Sequence, residues 1–175
     1  MKSKIKNNIF ANRGMELEKS IINSNKFYLE QSIAYIYKKH TPIKVISVEK
    51  NQINKAFFSS SSTLDFVGVY KGKYIEFEAK STRQTSSFPI KNILKHQFDD
   101  MQIIQHFLGI CFLIIEFSTL NKYFLCPYEK IKDYINISKR KSIKYEWFIK
   151  NCGEINQSYY PRLNYLAEVD KFFDL

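Results

Sequence analysis

The spacing of apolar residues in the first part of the chain is typical of helices. Within residues 14–39, Leu17 and Ile21 lie in one row of a helix, and the polar residues 23–25 interrupt the pattern. A second helix, capped within that polar triplet, would then follow. The large apolar residues that it would bury are Tyr28, Leu29, Ile33, Ile36 and Tyr37. Pro42 blocks a further helical turn, so the pattern predicts two helices before it.

Runs of β-forming residues occupy most of the remaining chain. Strands are predicted at residues 43–48, 56–58, 66–70, 74–80, 110–117 and 123–126. The segment Lys71-Gly72-Lys73 predicts a hairpin turn, and the polar residues 51–54 predict a break between strands. Residues 81–92 predict a loop, and residues 93–108 have helical spacing. This order of elements predicts an α/β fold, on the border with a mixed α+β fold, around one sheet.

An excess of positive charge indicates an anionic partner. Of 175 residues, 27 are Lys or Arg and 17 are Asp or Glu, which gives a net charge of +10. Nucleic acid and an anionic membrane surface are the partners that this charge predicts. The membrane surface is disfavoured because no segment pairs a basic face with a strongly apolar one. Residues 1–13 carry four basic and no acidic residues, which predicts a flexible basic arm that contacts phosphate or, alternatively, a solvated tail.

The length and the cysteine content favour one cytoplasmic domain. A chain of 175 residues fits a single domain, with or without an appendage. The longest apolar run, residues 110–115, is far shorter than the roughly 18 residues of a membrane-spanning helix, and the first ten residues do not form a secretory signal. Three cysteines without C-x-x-C spacing favour reduced thiols over a zinc site.

Two carboxylates and an ammonium share one face of the strand predicted at residues 74–80. Because side chains alternate along a strand, Glu76, Glu78 and Lys80 point to the same side, opposite the apolar residues between them. The hairpin would bring Asp65 close to Glu78 and Lys80. Carboxylate oxygens are ligands that Mg²⁺ prefers, and a nearby lysine can orient or activate a nucleophile or stabilise charge in a transition state. A solvent-facing strand with charge pairs is the alternative.

Two helical positions add candidate oxygen ligands. Glu18 borders an apolar face in a row with Met15 and Ile22, and Gln97 lies on the apolar face of the helix predicted at residues 93–108. A polar group on such a face needs a partner. That partner is either an ordinary hydrogen bond to the backbone or a metal ion with its water.

Several short segments together resemble one nuclease family. They are Asn12-Arg13-Gly14-Met15-x-Leu17-Glu18, Thr41-Pro42-Ile43, Ser62-Thr63-x-Asp65, Phe77-Glu78-Ala79-Lys80, Ser87-Phe88-Pro89 and His96-Gln97. In this order, from residue 12 to about residue 126, the chain resembles the RecU-type Holliday junction resolvases of the PD-(D/E)xK nuclease superfamily. The resemblance implies a restriction-endonuclease-like core, which is a mixed central β-sheet flanked by helices, with a protruding stalk.

The resemblance also implies roles for individual residues. The metal ligands that it implies, for Mg²⁺ or Mn²⁺, are Thr63, Asp65, Glu78 and Gln97. Lys80 would stabilise the transition state beside the catalytic Asp65 and Glu78. Glu18 would be an additional acid contributed by the first helix.

The implied architecture is a single nuclease domain, residues 14–175, that follows the basic arm. Its stalk, an insertion at about residues 38–60, would enter the centre of the junction. We predict DNA phosphate contacts for Arg13, Lys39 and Lys55, with solvated surface charges as the alternative.

The function that these residues predict is a Mg²⁺-dependent, structure-specific endonuclease. It would act as a homodimer on four-way (Holliday) junctions in DNA recombination and repair, with recombinase and branch-migration proteins as further partners. One alternative is a junction-binding or recombinase-modulating protein with weak or lost nuclease activity. Another is a restriction-type nuclease, for which 175 residues leave little room for a sequence-reading domain. The complete set of Asp65, Glu78 and Lys80 favours the resolvase.

The chain departs from the pattern of the family at four positions. Leu64 replaces a threonine, Val67 replaces a polar residue, Glu76 stands where aspartate is usual, and His40 falls where proline is common. None of the four is an implied metal ligand. The departures therefore concern efficiency and sequence preference.

Overall fold

The computed structural model describes the backbone of residues 2–40, 42–50, 52–58 and 63–175, and the side chains of residues 14–40, 42–50, 52–57 and 63–175. The helices are α1 (Lys2–Glu30), α2 (Lys95–His106), α3 (Tyr128–Ser138), α4 (Tyr145–Asn151) and α5 (Leu166–Phe173). The strands are β1 (Ala34–Lys38), β2 (Ile43–Glu49), β3 (Gln52–Phe58), β4 (Phe66–Tyr70), β5 (Lys73–Thr82), β6 (Ser87–Pro89), β7 (Ile110–Phe117), β8 (Lys122–Pro127), β9 (Ser142–Lys144) and β10 (Gly153–Glu154). Among the described residues, no helix is long and apolar enough to cross a membrane.

Six strands form one mixed sheet, in the order β1-β4-β5-β7-β8-β10. The central pair β5 and β7 is parallel, and the other neighbours are antiparallel. Alternate residues of β7 face two separate cores. Phe112 and Ile114 pack with α1 and α5, whereas Leu113 and Ile115 pack with α2, α3 and α4. This arrangement confirms the predicted mixed sheet flanked by helices.

The helix α1 differs from its prediction in two places. It runs through the polar triplet without a break, because Ser24 and Asn25 are buried and find partners in the C-terminal segment. The hydroxyl of Ser24 accepts the Leu163 N–H at 2.9 Å, and the Tyr165 hydroxyl donates to Asn25 Oδ1. The backbone of residues 2–13 continues the same helix, where a flexible arm was expected. The side chains of these residues lie outside the described part of the chain.

The strand β1 replaces the later part of the second predicted helix, whose first residues belong to α1. The chain turns at Ser32, which has a positive φ of 56°. Ala34 and Ile36 are then buried, and Tyr35 and Tyr37 are exposed. The prediction was wrong because the apolar residues here fit both a helical and an alternating period. Pairing with β4 decides between the two.

The strands β2 and β3 form a two-stranded sheet of their own. Every side chain of β2 is exposed. Because Glu49 pairs with Gln52, the turn consists of residues 50–51, and residues 52–54 belong to β3 rather than to the predicted polar break. The hairpin spans residues 43–58, within the segment that we expected to form the stalk, and we call it the stalk hairpin.

The predicted loop at residues 81–92 has regular structure in place of a free loop. The strand β5 extends through Thr82, and β6 pairs with β9. Phe88 is fully buried and contacts Phe148, with 6.2 Å between ring centroids. The burial of this one aromatic residue therefore anchors the polar segment to the core.

Two of the three cysteines are joined, where reduced thiols were expected. The pairing of β10 with β8 brings Cys126 and Cys152 together, and the structure links them in a disulfide with 4.9 Å between Cα atoms. Cys111 is free and buried. Cysteine spacing alone could not reveal this pair, because the two residues are 26 positions apart and only the strand pairing brings them together.

Candidate active site

A tight hairpin turn sets the register of β4 and β5. Tyr70 pairs with Lys73, so the turn contains two residues, Lys71 and Gly72, rather than the expected three. Both have positive φ values, 48° and 74°, as a type I′ turn requires. The turn matches the right-handed twist of the two strands and fixes which residues oppose each other along them.

This register places Asp65 beside Glu78, as the sequence predicted. Phe66 pairs with Phe77, so the residue before β4 faces the residue after Phe77. The Asp65 N–H donates to Glu78 Oε2 at 3.1 Å. In return, Asp65 Oδ2 accepts the Ala79 N–H at 3.1 Å. The Glu78 carboxylate is thus held by the backbone of Asp65, and the Asp65 carboxylate by the backbone of Ala79, the residue after Glu78.

Glu78 also receives Lys80 and Gln97. Lys80 Nζ lies 2.8 Å from Glu78 Oε1, and Gln97 Nε2 donates to the same oxygen at 2.6 Å. The Gln97 Oε1 accepts the Leu94 N–H at 3.0 Å and so caps the start of α2. Gln97 therefore offers its amide N–H to the site and orients Glu78, whereas an oxygen ligand was predicted. The glutamine at the third helical position is the sequence signal for this cap, although Leu94 stands where a complete capping box has Ser or Thr.

The electrostatics of the pair favour a bound cation. Burial, and after it the nearby charge of Asp65, together raise the pKa of Glu78 from its ordinary 4.5 to about 7, against the opposing effect of Lys80. A divalent cation would relieve the same repulsion between the two carboxylates. Among the described residues, no three His, Cys, Asp or Glu side chains form a metal cage. Two carboxylates suit Mg²⁺, which keeps several waters and binds substrate phosphates.

The other two implied site residues lie at the edge of this arrangement. Thr63 is exposed, two residues before Asp65 on the segment that leads into β4. Glu18 is partly buried on α1, and its carboxylate pairs with Lys38 at the end of β1. Glu18 borders the buried face of α1, but that face runs through Leu17 and Ile21, whereas Met15 and Ile22 of the predicted row are exposed.

A second carboxylate on the same face of β5 has a partner that the sequence did not reveal. Glu76 is buried, accepts a hydrogen bond from the Tyr74 hydroxyl, and pairs with Lys39 Nζ at 2.7 Å. The backbone N–H of Lys39 donates to the Asp65 carbonyl at 2.8 Å. Lys39 therefore ties the end of β1 to both Glu76 and the Asp65 segment.

The structure bears differently on each of the three predicted phosphate contacts. The charge of Lys39 is balanced by Glu76, which does not favour the expected phosphate contact. Lys55 is exposed on the stalk hairpin, as a phosphate contact requires. The side chain of Arg13 lies outside the described residues.

Burial or an ion pair accounts for three of the departures from the family pattern. Leu64 is fully buried in the core shared by α2, α3 and α4, where an apolar side chain fits. Val67 is buried within β4. Glu76 has the ion pair described above.

Known proteins resemble this chain over most of its length. The family described as Recombination protein U (RecU) matches residues 12–171. A Holliday junction resolvase RecU of Staphylococcus epidermidis is 47% identical over 171 residues, which cover 93% of this chain and 82% of that protein. The Staphylococcus aureus protein of the same name is 44% identical over 170 residues, with the same coverage.

A solved structure shows a fainter likeness. The Holliday junction resolvase Hjc of Archaeoglobus fulgidus aligns with a TM-score of 0.43 and 8% identity, over 74% of this chain and 90% of its own. Family membership rests instead on the match over residues 12–171 and on relatives that are nearly half identical. The chain belongs to the RecU family.

Proposed function

We propose that the protein is a metal-dependent endonuclease that resolves four-way DNA junctions in recombination and repair. The observation that carries this proposal is the joining of Asp65, Glu78 and Lys80 at one point of the sheet, in a chain of the RecU family. Relatives of this chain are named Holliday junction resolvases. The net charge of +10 suits a DNA substrate.

Asp65 and Glu78 are the residues that would hold Mg²⁺ or Mn²⁺, with the Thr63 hydroxyl close in sequence as a further oxygen donor. The bound ion would supply a more acidic water and neutralise charge on a phosphoryl oxygen. Gln97 would hold the Glu78 carboxylate in one orientation. Lys80, whose side chain is 18% exposed, would stabilise negative charge on the phosphate that is cut.

A labelled four-way junction, incubated with the protein in the presence and absence of Mg²⁺ or Mn²⁺, tests the proposal. We expect symmetrical cuts near the branch point that require the cation. Binding without any cut under all these conditions would favour the alternative, a junction-binding or recombinase-modulating protein. Interaction with recombinase and branch-migration proteins stays a prediction.

We further propose that the protein acts as a homodimer. Resolution needs two symmetry-related cuts, and a twofold dimer supplies two identical sites. An exposed apolar row crosses the sheet at its β1 edge, since Tyr35 pairs with Val69 and Val69 pairs with Tyr74. Patches of this kind commonly mark protein interfaces. Because two symmetry-related cuts are needed, we expect this apolar row to contact the same row of a second copy of the chain.

Sedimentation of the protein should therefore give the mass of two 20.8 kDa chains. Replacing Tyr35→Lys should shift the protein towards the monomer, because it places a charge in the proposed apolar contact. The matched control is Tyr159→Lys, at a position that is 99% exposed and lies in the segment between β10 and α5. If the Tyr35 variant remains as dimeric as the control, the interface lies elsewhere.

The stalk hairpin should contribute preference for branched DNA. We predict that replacing residues 48–53 with Asn-Gly reduces the preference for a four-way junction over a linear duplex at least tenfold, equivalent to about 1.4 kcal/mol. The replaced segment contains one acidic and one basic residue, so the net charge stays the same. Because the hairpin pairs only with itself in the described structure, Asp65 and Glu78 should be unaffected.

Competition between a four-way junction and a duplex of equal length measures this preference. Cleavage of a junction at saturating protein serves as the control for an intact active site. A shortened variant that folds and keeps its full preference would show that junction recognition lies outside the stalk hairpin.

A further inference from the structure

An open groove of about 520 Å³ adjoins the candidate active site. Lys80 belongs to both, and the groove continues past the end of β5 to the segment around Lys91. Its cationic side chains are Lys80, Arg83 and Lys91. The described residues that line it include hydroxyl and amide groups but no acidic residue. The groove therefore has the chemistry of an anion site.

The positive charge in this groove is uncompensated at two positions. Near the active site, Lys38, Lys39 and Lys80 each pair with a carboxylate. Within the described part of the chain, neither Arg83 nor Lys91 forms such a pair. Both side chains are exposed. Among the described residues, they are two cations in the groove that remain available for a ligand.

The backbone that carries these two residues is fixed from outside the groove. The Arg83 carbonyl accepts a hydrogen bond from the Thr119 hydroxyl at 2.8 Å. On the other side, the Ile90 N–H donates to the Lys141 carbonyl at 3.0 Å. Since the backbone of the groove is held before any ligand binds, binding should cost little conformational entropy.

We propose that this groove binds the phosphates of the DNA strand next to the phosphate that is cut, with Arg83 and Lys91 as the contacts. A guanidinium binds phosphate oxygens in a bidentate manner, and an ammonium adds a point charge. The shared Lys80 connects the groove with the reacting phosphate, so a strand lying in it would be aligned for cleavage. The inference rests on the proposed function.

The salt dependence of binding tests the inference. Affinity for a four-way junction is measured without divalent cations, over a series of salt concentrations, for the wild type and for the double variant Arg83→Ala, Lys91→Ala. Each lost phosphate contact lowers the slope of log K against log salt by about 0.9, so we expect a loss of up to about 1.8 per protomer. At saturating protein, cleavage should also slow because the strand is less well aligned.

The control is the double variant Lys73→Ala, Lys130→Ala, which removes the same charge at two exposed positions that lack a carboxylate pair among the described residues. Lys73 lies about 23 Å along β5 from Lys80, and Lys130 lines the same distant pocket as Lys73. An equal loss of slope in the control, or no loss in the groove variant, would overturn the inference. The variant Arg83→Lys, Lys91→Arg keeps both charges and should keep the slope, which separates lost contacts from a damaged fold.

The outcome is independent of whether the protein cuts DNA. If the wild type binds junctions but does not cut them with Mg²⁺ or Mn²⁺, the proposed nuclease function fails. The slope measured without metal still decides whether Arg83 and Lys91 contact phosphates.

Discussion

Replacing Asp65→Asn should reduce junction cleavage at least about a thousandfold, because the substitution removes one of two carboxylates that act as a unit. Asparagine has nearly the same shape, and its side-chain oxygen can still accept the Ala79 N–H that Asp65 Oδ2 accepts at 3.1 Å. The hairpin should therefore survive. Junction binding should persist, since removing a negative charge does not weaken a basic DNA-binding surface.

Single-turnover cleavage and equilibrium binding measure the two effects separately. The matched control is Asp133→Asn, which removes one carboxylate from an exposed position on α3. The variant Asp65→Ala should lose cleavage as well, and should be less stable by about 1–3 kcal/mol because the Ala79 N–H loses its acceptor. Cleavage by the asparagine variant at the rate of the control would remove Asp65 from the proposed active site.

The main part of the active site could be predicted because it depends on local sequence. Alternation along β5 places Glu78 and Lys80 on one face, and Gly72 supplies the positive φ that a tight turn needs. A short turn leaves little freedom of register, so Asp65 had to fall near Glu78. The strand β7 was equally clear, since a strand buried on both faces is apolar throughout.

The features that were missed depend on contacts between distant segments. Nothing near Lys39 in the sequence indicates that its partner is Glu76, 37 residues away, so its charge was assigned to DNA. The apolar spacing around Ile36 fits a helix as well as a strand, and only pairing with β4 selects the strand. Periodicity placed Gln97 on the correct face of α2 but could not show which end of its amide meets Glu78.

A Lys80→Ala variant should lose turnover far more than affinity, by about a hundredfold to a thousandfold in the rate of cleavage. In the structure Lys80 Nζ lies 2.8 Å from Glu78 Oε1, so the lysine is held at the carboxylates rather than free in solvent. Its charge is thus aimed at the place where negative charge develops on the phosphate. An interaction made mainly in the transition state lowers the rate of the bound complex when it is removed.

The contrast with Arg83 and Lys91 gives this prediction its sharpest test. Removing those two cations should weaken binding and lower its salt dependence, because they face the groove and pair with no carboxylate among the described residues. Removing Lys80 should leave the salt slope nearly unchanged, because Glu78 already balances its charge, while the single-turnover rate at saturating protein falls. The variant Lys80→Arg keeps the charge but not the compact shape of the ammonium, so it should recover only part of the rate. If Lys80→Ala instead weakens binding and cuts at the normal rate once saturated, Lys80 is a phosphate contact, and the charge that stabilises the transition state comes from another group.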